Sequence, residues 1–173
     1  MSNNVLPNGK HIVVRPIHPE DEQLYKCFMD KCTAEDIRHR FFDSMRDLPS
    51  ELVTQLTHID YLHIMAFVAV NDENGELLAI SRFVAAPEGN RAEFSVITRS
   101  DWQGQGVGFL LMQVLIKYAQ AKNICVMWGQ INSDNSQMVR MSRELGFQIT
   151  TDHSDPCCVV ATLQLLSPAK SSP

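Results

Sequence analysis

Gln103-Gly104-Gln105-Gly106-Val107-Gly108 is the stretch that decides the fold, because it joins two segments of different periodicity. Upstream, Arg91 to Thr98 alternates, with Ala92, Phe94 and Val96 on one face and Glu93, Ser95 and Ile97 on the other. That is the period of a strand. Downstream, Val107, Leu110, Leu111, Val114, Leu115 and Tyr118 recur at three-four spacing between Gly106 and Lys122. That is the period of an amphipathic helix. Glycines at such a junction let backbone N–H groups turn toward one point, where the helix dipole adds partial positive charge. A phosphate or pyrophosphate is the natural guest; a tight turn that binds nothing is the competing reading. Two nucleotide motifs do not fit. The Walker loop needs a Lys after its last glycine, and none follows here. The dinucleotide fingerprint needs G-x-G-x-x-G, which the spacing of Gly104, Gly106 and Gly108 does not supply.

Working outward, the chain reads as one mixed α/β (α+β) domain. His11 to Pro16 is a short strand. Pro19-Glu20-Asp21-Glu22 opens a helix, with Pro in the first turn and acids at the positive dipole end, that runs to about Lys31. Short helices follow over about Ala34 to Arg40 and Pro49 to Thr57. Ile64 to Asn71 and Leu77 to Ala85 form a hairpin around Asn74-Gly75, and Pro87 to Asn90 turns the chain into Arg91 to Thr98. Past the long helix, Asn123 is a cap and Ile124 to Gly129 a strand. A helix then runs from Asn135 to Leu145, with Gly146 at its left-handed end. Phe147 to Thr151 and Val159 to Leu166 close the fold. The strand–helix–strand unit from Arg91 to Gly129 implies one parallel pair in an otherwise antiparallel sheet. Residues 1–10 are polar and turn-rich and read as a tail or linker stub. Residues 167–173 read as a disordered tail, which leaves a domain over 11–166.

Composition limits the function classes. The 173 residues are 45% hydrophobic and 20% charged, with a net charge of −5. This is ordinary globular composition and one domain's length. Nucleic-acid binding needs clustered Lys and Arg, which this chain lacks. The longest apolar run, Ile64 to Val70, is far short of the roughly 20 residues of a membrane span. Cys27, Cys32, Cys125, Cys157 and Cys158 are odd in number and scattered, as expected of reduced thiols in a cytoplasmic protein. No CxxC and no metal spacing among the six histidines occurs, so no metal is expected. Cys125, on a central strand, reads as core rather than nucleophile.

A further pattern does fit the opening stretch. Gln103, Gly106 and Gly108 fill the fixed positions of [QR]-x-x-G-x-[GA], and the loop resembles the acyl-CoA pyrophosphate loop of the GNAT acetyltransferase superfamily. Asn135 followed by Leu145-Gly146-Phe147 resembles that superfamily's next motif, and the order of elements agrees from Val14 to Leu166. A closer likeness is carried by Val14-Arg15-Pro16-Ile17, Pro19-Glu20-Asp21, Arg40-Phe41-Phe42, Leu56-Thr57, Ile59-Asp60-Tyr61, Met65-Ala66, Ala92-Glu93-Phe94 and Asp101-Trp102-Gln103-Gly104. These resemble the acetyltransferase domain of bacterial Pat-type protein lysine acetyltransferases. In that family the domain is often fused to an acyl-CoA-synthetase-like regulatory domain. The start at Leu6-Pro7-Asn8-Gly9 agrees with an excised domain and equally with a free-standing relative.

The resemblance implies a GNAT fold: a mixed, mostly antiparallel central sheet with splayed strands and flanking helices. It implies acetyl-CoA as donor, its pyrophosphate on Gln103, Gly104, Gln105, Gly106, Val107, Gly108 and Phe109. Val96, Ile97 and Thr98 would offer backbone groups to the pantetheine arm. Asn135 would bond the arm, cap its helix, or do both. Glu93 takes the place of the catalytic base, acting directly or through water; a solvent-facing strand glutamate is the alternative. Where many members carry a Tyr as acid for the leaving thiolate, this chain has Ser142, which would orient the thiolate or a water. Arg99 reads as a surface residue or a contact to a CoA phosphate. Arg38, Arg40 and Phe41-Phe42 lie in the segment that borders the acceptor cleft. The implied activity is acetylation of protein lysine Nε-amines by direct attack in a ternary complex, with acyl-CoA synthetases among the targets. A small-molecule amine N-acetyltransferase and a non-catalytic acyl-CoA sensor are the alternatives. Glu93 separates enzyme from sensor, because a sensor needs no base.

Overall fold

The computed structural model describes residues 1–41 and 49–165. Its strands are β1 Ser2–Val5, β2 His11–Pro16, β3 Ile64–Asn71, β4 Leu77–Ala85, β5 Arg91–Thr98, β6 Val126–Asn132, β7 Gln148–Thr151 and β8 Cys158–Gln164. Its helices are α1 Glu22–Lys31, α2 Ala34–Phe41, α3 Ser50–Thr57, α4 Val107–Ala121 and α5 Ser136–Glu144. The strands form one sheet in the order β1-β2-β3-β4-β5-β6-β8-β7. Every pairing is antiparallel except β5 with β6. None of the described helices is long and apolar enough to cross a membrane.

Alternation along the strands sends side chains to two layers. Ile80 of β4 and Ile97 of β5 pack with Phe28 of α1, Ile37 of α2 and Val53 of α3. Phe83 of β4 and Phe94 of β5 pack with Met112 and Leu115 of α4 and with Phe147. Burial of each such side chain is worth about 1.5–3 kcal/mol. The α4 stripe therefore fixes that helix, and the loop before it, rigidly on the sheet.

Residues 1–10 correct the sequence reading. They are not a tail. Ser2–Val5 pairs with Val14–His11 as an edge strand, and Leu6 is buried with Trp102, Val107 and Leu111. Gly9, at φ +81°, turns the chain back into β2. The Lys10 ammonium sits 4.2 Å from the centre of the Trp102 ring. β6 also starts two residues later than expected and runs on to Asn132, because Ile124 is buried against α4 while Asn123, at φ +58°, turns the chain. Phe42, Leu166 and the tail expected over 167–173 lie outside the described residues.

One feature of the sheet positions the cleft. β5 and β6 pair only over Arg91–Glu93 and Val126–Trp128. Beyond Glu93 the strands part, β6 staying with β8 and β5 with β4. Gly129 stands at the fork. A Cβ there would lie 2.8 Å from the Phe94 ring and 2.9 Å from the Phe94 carbonyl oxygen. Only glycine lets β6 pass β5 at that point.

Candidate active site

The loop after β5 is shaped by left-handed backbone. Gly104 has φ +71° and Gly106, the residue preceding α4, has φ +90°. No side chain caps α4, so its first N–H groups stand free beside a cleft of about 720 Å³. Val96, Ile97 and Thr98 line one wall of this cleft. Gln103, Gly104, Gly106, Gly108 and Phe109 line its loop side, and Asn135 stands opposite. Gly108 is tight: a Cβ there would lie 3.0 Å from the Thr98 hydroxyl oxygen. The wall at Val96–Thr98 keeps one unpaired backbone edge, because β6 has already diverged.

Two members of the motif serve the loop rather than the cleft. Val107 is fully buried in the sheet–helix core. The Gln105 side chain accepts from Asn8 Nδ2 at 2.7 Å and donates to the Asp101 carbonyl at 2.8 Å. Gln103 lines the cleft, but its amide also braces the loop, donating to Thr98 O at 2.9 Å and Asp36 Oδ1 at 2.8 Å. Asp36 is a buried carboxylate that also accepts from the backbone N–H of Thr33 and of Ser100 and from the Ser100 hydroxyl. It locks α2 onto the loop. No sequence motif marks it.

Arg99 requires a correction to both of its readings. It is 6% exposed, so it is not a surface residue. Its guanidinium forks onto Asp101 at 3.0 and 2.6 Å and reaches Glu76 at 2.9 Å. Committed in this way, it is not free for a CoA phosphate. The Arg99 hydrogen bonds hold the Asp101 carboxyl below the usual range. Glu76 is held low by Lys31 and then by Arg99.

A second cavity, of about 240 Å³, adjoins the first and shares His39, Val96, Asn135 and Met138 with it. Glu93 and Ser95 of β5, Arg82 and Val84 of β4, Arg40 of α2 and Gln130 of β6 complete its wall. The register explains the grouping. Val84 pairs with Glu93 and Arg82 with Ser95, on the face that α2 and α3 cover. Glu93 is the last β5 residue paired to β6, so its exposed carboxylate stands at the fork.

Asn135 caps α5, its Oδ1 accepting from Met138 N at 3.1 Å, while still lining both cavities. Ser142 lines neither. It is fully buried, and its hydroxyl has no partner among the described residues. Met138 and Met141 of α5 face the cleft instead. Cys125 lines neither cavity, and all five cysteines are free. Burial pushes the Cys32 thiol up to about 12 and the Cys158 thiol up to about 11, so both stay protonated near neutral pH. No group among the described residues has the make-up of a metal site.

His39, Asp134 and Arg82 were missed by sequence reasoning, since no local motif marks them. His39 Nε2 lies 3.1 Å from Asp134 Oδ1, and Arg38 donates to Asp134 Oδ2 at 2.8 Å. This cluster ties α2 to the turn before α5, bridging the two walls of the larger cleft.

The site is a glycine-shaped loop on a cleft between parting strands, with a carboxylate at the fork. Residues 23–147 match the Acetyltransferase (GNAT) family, and the chain belongs to that family. It is 32% identical over 162 residues to the acetyltransferase PA5475 of Pseudomonas aeruginosa, covering 92% of this chain and 87% of that one. Its fold is similar to the GNAT domain of S. lividans PAT, with a TM-score of 0.87 at 22% identity over 95% and 96% of the two chains. It is also similar to yncA of Salmonella typhimurium, solved with its cofactor acetyl-CoA, with a TM-score of 0.74 at 19% identity over 93% and 98%.

Proposed function

We propose that the protein transfers the acetyl group of acetyl-CoA to a primary amine held beside Glu93, by direct attack in a ternary complex. The observation that carries this reading is the carboxylate at the fork of β5 and β6, on the wall of a small cavity that opens into the larger cleft. An alkylammonium with pKa about 10.4 is no nucleophile until it loses a proton. Glu93 accepts that proton, directly or through one water. The amine attacks the thioester carbon, and the developing oxyanion is met by backbone N–H on the unpaired edge of Val96–Thr98. The pyrophosphate sits on the N–H groups of Gly104 to Gly108 and the first turn of α4. The carbonyl then re-forms and the C–S bond breaks, its electron pair leaving on sulfur, and the nitrogen's remaining extra proton passes to the departing thiolate. A thiol of pKa about 8.5 leaves without a strong acid, and Ser142, buried away from the cleft, plays no part.

A protein lysine, which the Pat-type resemblance implies, and a small amine compete for the acceptor position. The volume of about 240 Å³ favours the small amine. Use of acetyl-CoA and five free thiols fit a cytoplasmic enzyme. The test is to incubate the protein with acetyl-CoA and either a panel of small amines or a purified acyl-CoA synthetase, following thiol release and acetylated products by mass. Acetylated small amines are the expected result. Acetyl-lysine on the synthetase, with no small amine labelled, overturns the small-amine reading. Thiol release that no acceptor raises above background indicates a sensor.

A further inference from the structure

Arg40 and Arg82 are charges that acetyl transfer to a plain amine does not use. Arg82 lies mid-strand on β4, opposite Ser95 and diagonal to Glu93. Residues in that diagonal relation are close enough for long side chains to share one ligand. Arg40 comes from the last turn of α2 and meets Arg82 at the same cavity. Both are half-buried. Burial lowers the pKa of each; the neighbouring Arg40 charge lowers that of Arg82 further, while Tyr25 and the Glu93 carboxylate partly offset the shift at Arg40. Arginine nonetheless keeps its proton in proteins.

Of the other described arginines, Arg15 is paired with Asp21, Arg38 with Asp134, and Arg99 with Asp101 and Glu76, while Arg91, Arg140 and Arg143 have no ion pair but do not line this cavity. Among the described residues Arg40 and Arg82 have no carboxylate within ion-pair distance. Arg82 donates one N–H to the Leu56 carbonyl at 3.2 Å, which orients its fork. Arg40 lies 4.7 Å from the centre of the Phe41 ring, a cation–π contact that holds its plane. Two positioned guanidiniums on one small cavity are the arrangement that recognises a carboxylate by paired N–H···O bonds.

We propose that Arg40 and Arg82 bind a carboxylate of the acceptor, and that the acceptor is an amino acid, with its amine toward Glu93. This rests on the Glu93 cavity being the acceptor site. The division of labour is simple: the arginines neutralise the substrate's negative end and set the amine's position, and Glu93 takes the proton. A lysine side chain, which offers an ammonium and no nearby anion, is repelled by the same pair.

The test compares neutral L-amino acids with their carboxamides as acceptors for the wild type and for Arg82→Gln, Arg40→Gln and Arg82→Lys. Wild type is expected to favour acids over amides by 10- to 100-fold in kcat/KM. In both Gln variants that preference falls to near one, through a rise in KM for the acids, and Arg82→Lys retains part of it. Affinity for CoA, measured by calorimetry, reports that each variant is folded. Equal use of acids and amides by the wild type overturns the proposal, as does a preference that survives in both Gln variants. The Glu93 reading fails separately: Glu93→Gln then keeps wild-type kcat, whatever the acid-over-amide preference. A panel in which no amino acid is acetylated, or shifts the melting temperature of the CoA-bound protein, also overturns it.

Discussion

The two halves of the cleft are built from different materials. The donor half is backbone: a left-handed turn at Gly104 and Gly106, the free N–H groups of α4, and one unpaired edge of β5. The acceptor half is side chains: Arg40 from α2, Arg82 from β4, Glu93 from β5 and Gln130 from β6. In the proposed function the first half takes the acyl donor and the second the amine acceptor. Backbone recognition depends on glycines at fixed spacing and tolerates an acidic protein, since it needs no net positive charge. Side-chain recognition depends on the register that brings distant residues together.

This contrast can be broken or sharpened by mutation. Gly129→Ala puts a Cβ against the Phe94 backbone at the fork that both halves share. It is expected to destabilise by about 3 kcal/mol, read by urea unfolding, and to impair both KM values. Asp36→Ala removes the acceptor for Gln103 and for Ser100. It is expected to cost about 2 kcal/mol and to raise KM for acetyl-CoA more than KM for the amine. Gly106→Ala forces a side chain into φ +90° and is expected to cost about 1–2 kcal/mol, again with the loss of affinity confined to the donor. A rise in amine KM equal to the donor's in either loop variant would falsify the separation.

The smallest expected effect is electrostatic. Asp101 and Glu76 are held below the usual carboxylate range by hydrogen bonds from Arg99 and, for Glu76, first from Lys31. A carboxylate with a depressed folded pKa contributes fully above its unfolded value and loses that contribution as pH falls through the folded one. Stability is therefore expected to decline from about pH 4 downward, and less steeply in Arg99→Gln. Identical acid limbs in urea titrations of the two proteins would remove the clamp from the account.

The same contrast explains what was legible in the sequence. β2 to β5 and the loop could be placed because each carries its own signal: alternation, Asn-Gly turns, or glycine spacing. Asn135 and Gly146 also announced themselves, as a helix cap and a left-handed helix end. Ser2–Val5 did not, because Ser2-Asn3-Asn4 has no apolar alternation. That strand exists through pairing with β2 and burial of the adjoining Leu6. Arg82 and Asp36 carry no local signal of their own. Their roles appear only once β4 pairs with β5 and α2 lies on the loop. Ser142 was placed by analogy with a tyrosine. The serine is fully buried and lines neither cavity.

The central claim is that Glu93 performs the chemistry in a site whose donor half is independent of it. The direct measurement is kcat/KM for the amine, across pH, alongside the calorimetric Kd for CoA, in wild type and Glu93→Gln. The account predicts a fall of about 10²–10⁴ in kcat/KM and an unchanged Kd. A Glu93→Gln protein with wild-type kcat/KM would contradict it.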